Sequence, residues 1–194
     1  MTETILVAVA WPYANGHLHH GQLGGAYLPA DIFARYHRVK GNRVVMVSGS
    51  DTHGTPITVR AEQENRSPED VVTEFHQSFL QTWEGIGISW DLFTSTNTEN
   101  HAEVVHKIFK KLLENEYLYT ATQELFFDPV DKRFLPDRYV EGTCPHCKND
   151  KARGDQCDNC GRQLDAPDLI EPRSKTSGAV PELRQSEHYF LRLK

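Results

Sequence analysis

Apolar positions in the first half of the chain follow two rhythms. Ile5-Leu-Val-Ala-Val-Ala10 is a short unbroken apolar run closed by Trp11-Pro12, which predicts a buried strand over residues 4–10. After a turn, Leu23, Ala26, Tyr27, Ala30, Phe33, Ala34 and Tyr36 recur at three- and four-residue spacing, predicting a helix with one core-facing stripe. Pro29 lies inside that stripe and is expected to kink or divide it, and Lys40-Gly41 ends it with glycine at a left-handed stop. Residues 43–48 form a second apolar strand. Strand, helix, strand is a βαβ unit, hence an α/β fold with parallel strands and a right-handed crossover.

Thr55-Pro56 then offers a capping hydroxyl followed by proline at the first helical position. Ser67-Pro68-Glu69-Asp70 repeats the device and opens a helix through Val71, Phe75, Phe79 and Trp83, with Gly85 and Gly87 as its stop. Residues 90–94 read as a further strand. Residues 97–115 read as an amphipathic helix with Val104, Val105, Ile108, Phe109, Leu112 and Leu113 on one face. At Tyr117 the pattern changes: residues 117–128 are β-rich, prolines and a cysteine cluster follow, and helical periodicity does not return. A boundary near 116 is therefore expected, separating a strand–helix domain, 1–116, from a β-rich domain, 117–194. The final residues are apolar and strand-like rather than linker-like, so the chain reads as truncated.

With 38% hydrophobic, 10% aromatic and 25% charged residues in 194, the chain has the composition of a soluble globular protein with a core. A formal charge of −6 gives no general electrostatic case for nucleic-acid binding, so any RNA contact is expected to be local or to lie on parts outside this sequence, and DNA is not an expected partner. No run of 18 apolar residues exists and no membrane partner is expected; the acidic start, Met1-Thr-Glu-Thr4, is not a signal peptide. The four cysteines fall in one tight cluster, which suits a metal site in a reducing compartment and makes the cytoplasm the expected location.

Ligands of parallel sheets collect at the carboxyl ends of the strands. Both strand ends here carry polar clusters that should face one crevice: Trp11-Pro-Tyr-Ala-Asn-Gly-His-Leu-His-His-Gly-Gln22 after the first, and Gly49-Ser-Asp-Thr-His-Gly-Thr55 after the second. The first has the strand–turn–helix form of a phosphate cradle, with His17, His19, His20 and Gln22 able to reach phosphate oxygens; its bland reading is a solvated histidine turn. Asp51 reads either as a cap for the helix at Pro56 or as a carboxylate holding a ligand ammonium. Trp11 and Tyr13 read as core aromatics or as a pocket wall, and Asp128, Asp131 and Asp137 as turn residues. Cys144-Pro-His-Cys147 and Cys157-Asp-Asn-Cys160 are two knuckles that aim four thiolates at one centre, a tetrahedral zinc site with no position left for substrate, about 140–164. Unmetallated thiols or one redox pair are the competing readings, and His146 is a substitute ligand. Gly142, Gly154 and Gly161 supply permissive backbone for the turns.

Pro12-Tyr-Ala-Asn-Gly16-x-x-His19-x-Gly21 after a strand resembles the first signature of class I aminoacyl-tRNA synthetases, specifically of the methionyl type. Asp51-x-His-Gly-Thr-Pro56, Phe134-Leu-Pro-Asp-Arg-Tyr-Val140, the four-cysteine knuckle, Leu169-Ile-Glu-Pro172 and Ser186-Glu-His-Tyr-Phe190 resemble that family too, in family order. The resemblance implies the first half of a Rossmann-like parallel-sheet catalytic domain, followed by a β-rich connective-peptide insertion carrying one structural zinc ion. It implies that methionine attacks the α-phosphorus of ATP, with Mg²⁺, giving methionyl-adenylate, which then acylates tRNA(Met). His19 and Gln22 would be catalytic; Asn15, Gly16, His19, Gly21 and Gln22 would contact ATP; Trp11 and Tyr13 would border the methionine pocket and Asp51 would bind the ammonium. Aromatic contact with the methionine sulfur adds to an apolar pocket's modest discrimination.

Two departures stand out. The family signature ends in a second histidine, whereas here it reads His19-His-Gly-Gln22, and an amide donates a hydrogen bond without carrying charge. The chain also stops before the family's Lys-Met-Ser-Lys-Ser loop and anticodon-binding helices, so these residues alone are expected to form almost no adenylate. The competing readings are a leucine-, isoleucine- or valine-type synthetase, against which the Pro-Tyr-Ala-Asn-Gly and knuckle pairing argues, and a non-catalytic, zinc-stabilised module that binds nucleotide or RNA.

Overall fold

The computed structural model describes residues 2–193. The chain divides into two compact units, Met1–His106 and Lys107–Lys194.

In the first unit, β1 (Thr4–Ala8), β2 (Arg43–Ser50) and β3 (Leu92–Ser95) form a parallel sheet in the order β1-β2-β3, with Thr4 opposite Arg43 and Val47 opposite Leu92. β2 is the central strand and supplies buried Val44, Met46, Ser48 and Ser50. β1 is not the buried strand its apolar run predicts: within this sheet it pairs on one side only, and Leu6 is 67% exposed. It is also shorter than predicted. Val9 still donates to the Val47 carbonyl, but Pro12 has no N–H, so regular pairing lapses.

Helical structure begins at a short α1 (His20–Gln22), passes through a π-helical turn, Leu23–Tyr27, and continues as α2 (Leu28–Val39). The division falls before Pro29, not at it. The Leu28 N–H reaches back to the Leu23 carbonyl, and proline then occupies the first turn of α2, where its missing donor costs little. Of the predicted stripe, Tyr27 and Ala34 are buried and Leu23, Ala26 and Ala30 pack beside them. Phe33 and Tyr36 instead lie at the surface, each with its ring against His37. Gly41, at φ +84°, ends the segment as expected.

α3 (Thr55–Glu64) and α4 (Pro68–Ile86) follow. The cap of α3 is Gly54; Thr55 is already helical, and its carbonyl accepts the Thr58 hydroxyl. Ser67 caps α4 by accepting from the Asp70 N–H at 3.1 Å. Gly85 lies inside the last turn, and Gly87 alone, at φ +69°, terminates it. Phe75, Phe79 and Trp83 of α4 join Ile57, Ala61, Met46 and Tyr27 in the core. The third strand begins two residues later than its apolar pattern predicts, at Leu92, because Asp91 is occupied by accepting from the Met46 N–H and Arg38. α5 (Glu99–Glu114) carries the division between the units. None of its residues is buried; on its apolar face, Phe109 meets the Tyr189 ring edge-on, with centroids 5.4 Å apart.

In the second unit, β4 (Leu118–Asp128) and β9 (Glu182–Leu191) form a long antiparallel ribbon, with β5 (Arg133–Phe134) on the other edge of β4. A second sheet has the order β7 (Ala152–Arg153), β6 (Val140–Thr143), β8 (Ile170–Ser174). Asp128 is the polar tie between them and more than a turn residue. It is fully buried and accepts from the Val130 N–H at 2.8 Å, the Asp131 N–H at 3.1 Å and the Ser177 hydroxyl at 2.5 Å. Burial alone would raise its pKa, yet the hydroxyls of Ser174 and Ser177 and the two backbone donors together hold it well below the carboxylate range.

Candidate functional site

The two polar clusters meet at the carboxyl end of the sheet. Past the lapse at Pro12, pairing resumes as an isolated parallel bridge between Tyr13 and Asp51. The Asp51 N–H donates to the Pro12 carbonyl at 2.8 Å and the Ala14 N–H to the Asp51 carbonyl at 2.9 Å. Backbone pairing thus fixes the signature turn directly against Asp51. Among the described residues the Asp51 carboxylate caps no helix; it accepts from the His53 N–H at 3.3 Å, a local turn contact.

Trp11 and Tyr13 are 39% and 47% exposed, so neither is a core aromatic. Each covers a glycine of the second cluster. A Cβ on Gly49 would stand 2.5 Å from the Trp11 ring, and one on Gly54 would run into the Tyr13 ring. The missing side chains let both rings pack closely against the backbone on either side of Asp51, with part of each ring exposed to solvent. The rim continues with His53, whose Nε2 is 3.3 Å from the Thr96 carbonyl, and with His101, whose ring centroid lies 6.5 Å from that of Trp11.

Within the turn, His17 is 2.8 Å from the Ser78 hydroxyl and edge-on to Phe75, so it is tied to α4 rather than held out for a ligand. His19 precedes the helix in an extended conformation and forms a capping box with Gln22. The Gln22 Oε1 accepts from the His19 N–H at 3.1 Å, while the Gln22 N–H donates to His19 Nδ1 at 3.3 Å. Gly21 serves this cap: a Cβ there would lie 3.1 Å from the His19 ring.

Sequence reasoning missed Arg60. Its Nη1 donates to the Asn15 carbonyl at 2.7 Å, its Nε pairs with Glu64 at 2.7 Å, and its guanidinium lies 4.4 Å from the Phe75 ring centroid. It is a strut from α3 to the signature turn. A lone arginine on a helix carries no local signal of such a contact. His76, also missed, stands 2.8 Å from the Ser50 hydroxyl beneath the crevice, and burial pushes its pKa down.

The four cysteines come together as expected, with all sulfurs within 4.8 Å of one another. The Cys144–Cys160 and Cys147–Cys157 sulfurs are 3.9 and 3.5 Å apart. A tetrahedron with arms of about 2.3 Å has edges of about 3.8 Å, so the group fits a metal of zinc's size. The two knuckles have matching backbone bonds: Lys148 N–H to Cys144 carbonyl at 3.1 Å and Gly161 N–H to Cys157 carbonyl at 2.8 Å. The residue after each knuckle is left-handed, Gly161 at φ +70° and Lys148 at φ +62°. Gly142 and Gly154 are not left-handed; they are needed for close approach, since a Cβ on Gly154 would lie 2.5 Å from the Asp137 carbonyl. The Asn159 amide donating to Cys147 Sγ lowers that thiol to about 6. His146 lies outside the sulfur cluster, beside Arg162 at 2.9 Å.

Residues 5–194 match the family described as tRNA synthetases class I (M). The chain belongs to this family. Its curated relatives include methionine–tRNA ligases of Thermomicrobium roseum, 60% identical over 193 residues, and of Thermoplasma acidophilum, 54% identical over 189 residues. These alignments cover 100% and 97% of this chain but 33% and 35% of the relatives, so the chain spans about a third of their length. A solved structure of Mycobacterium tuberculosis methionyl-tRNA synthetase in complex with methionyl-adenylate shares the fold at a TM-score of 0.66 and 19% identity, covering 99% of this chain and 32% of that one. The α/β reading and the synthetase resemblance are thereby borne out. No helix among the described residues is long and apolar enough to cross a membrane.

Proposed function

We propose that the crevice is one wall of the adenylate-forming site of a methionine–tRNA ligase of the cytoplasm, and that this chain contributes it to a larger enzyme. The carrying observation is the Tyr13–Asp51 bridge, which joins the two signature clusters within a chain 60% identical along its length to such a ligase. In this reading Asp51 pairs with the methionine ammonium, and Trp11 and Tyr13 border its side chain. Asn15, Gly16, His19, Gly21 and Gln22 face ATP and its Mg²⁺. The protein supplies no covalent nucleophile. The methionine carboxylate attacks the α-phosphorus and pyrophosphate leaves, while the protein holds the reactants in line and donates hydrogen bonds to charge growing on the phosphate. Transfer to tRNA(Met) follows.

Zinc is the proposed occupant of the knuckle, held by Cys144, Cys147, Cys157 and Cys160. Once bound it supplies only structure, because four sulfurs leave no open position.

The reading is tested by methionine-dependent exchange of pyrophosphate into ATP, using the complete gene product and this chain in parallel. Exchange with methionine but not leucine, isoleucine or valine, confined to the complete product, is the expected result. Absence of exchange from the complete, metal-loaded product would overturn it and favour a non-catalytic nucleotide-binding module.

A further inference from the structure

We infer that Gln22 is a positioning residue that locks His19 into one tautomer, with the ring proton on Nε2. The inference deepens the nucleotide reading and rests on it for the identity of the acceptor, a phosphate oxygen. The Gln22 backbone N–H donates to His19 Nδ1, and a donor requires a lone pair there, so Nδ1 carries no hydrogen. A neutral imidazole then holds its proton on Nε2. His19 is exposed, and Nε2 makes no hydrogen bond among the described residues, which leaves that proton for an acceptor outside the chain.

The Gln22 side chain closes the other half of the arrangement. His19 N–H can only donate, so the Gln22 atom facing it is Oε1, and the amide orientation follows. The remaining amide nitrogen stays available as a second neutral donor on the same turn. Gly21 completes the lock, because a side chain there would press on His19 Nδ1 and Cε1, each 3.1 Å away. Glutamine and glutamate are the side chains that serve the third helical position of a capping box. Gln22 therefore exchanges a chargeable ring for a cap that aims its neighbour. The departure from the family signature has a mechanical role here.

Selective ¹⁵N labelling of histidine in the full-length protein reads the tautomer of His19 without nucleotide. Wild type and Gln22→Glu, which keeps the reciprocal cap, are expected to show the Nε2–H form. Gln22→Ala is expected to raise the Nδ1–H form about five-fold, the equilibrium equivalent of one lost cap. An Nδ1–H form in wild type, or the same mixture in all three proteins, would overturn the role of Gln22. Addition of Mg-ATP is expected to move the Nε2 signal, with affinity about five-fold weaker in Gln22→Ala and weaker still in Gln22→Glu, whose charge repels phosphate. A locked tautomer whose Nε2 signal ATP leaves unmoved overturns the nucleotide reading instead, so the two failures are distinguishable.

Discussion

The knuckle and the crevice are built on opposite plans. The knuckle draws all four ligands from residues 144–160, repeats one backbone turn twice, and is closed by its own sulfurs. The crevice gathers Trp11 and Tyr13 from the end of β1, Asp51 and His53 from the end of β2, and Thr96 from beyond β3, and leaves its aromatic walls open. A local, closed site is suited to holding structure. A site assembled from distant segments and left open is suited to ligands that enter and leave, and its geometry depends on every element beneath it.

Removing metal should separate the two most sharply. Structural zinc in a four-thiolate site contributes on the order of 10 kcal/mol to its local fold. Chelation, or Cys157→Ser, is therefore expected to abolish amide-exchange protection around residues 140–164 while leaving the β1–β2 amides protected. Equal loss in both regions would break the comparison. Arg60→Ala should act in reverse. Loss of the bond to the Asn15 carbonyl is worth about 1.5–3 kcal/mol for a charged donor, a drop of roughly ten- to a hundred-fold in methionine-dependent exchange with metal content unchanged.

Gly54→Ala should be milder, costing about 1–3 kcal/mol as Tyr13 is pushed from its seat, and should appear chiefly as a raised KM for methionine. Acid supplies a test of order. His76 has a folded pKa below its unfolded value of about 6.5, so its contribution is present above that pH and is lost as pH falls below it. Asp128, also depressed on folding, holds its contribution down to about pH 4, the unfolded aspartate value, and loses it below. The amides around His76 should soften before those around Asp128 in a pH series followed by amide exchange, and His76→Gln should remove the earlier step.

The same contrast decides what could be read from the chain. The knuckle was legible because spacing within two short motifs determines where its sulfurs go. The parallel strands and the meeting of their polar ends were legible from periodicity and the βαβ rule. Arg60, His76 and Asp128 were not, because each acquires its role from a partner, Asn15, Ser50 or Ser177, that lies 26 or more residues away. Phe33 and Tyr36 misled for a related reason: helical spacing shows which residues share a face, not whether anything covers it. Gln22 was visible as a departure, but its meaning required the capping geometry at His19.

The central claim, that the crevice forms methionyl-adenylate, is tested most directly by a crystal structure of the complete, metal-loaded protein with a non-hydrolysable methionyl-adenylate analogue. The account predicts the analogue's ammonium on the Asp51 carboxylate, its thioether beside Trp11 and Tyr13, and its phosphate-mimicking group within hydrogen-bond reach of His19 Nε2. An analogue bound with its ammonium away from Asp51 and its phosphate mimic away from His19 would contradict it.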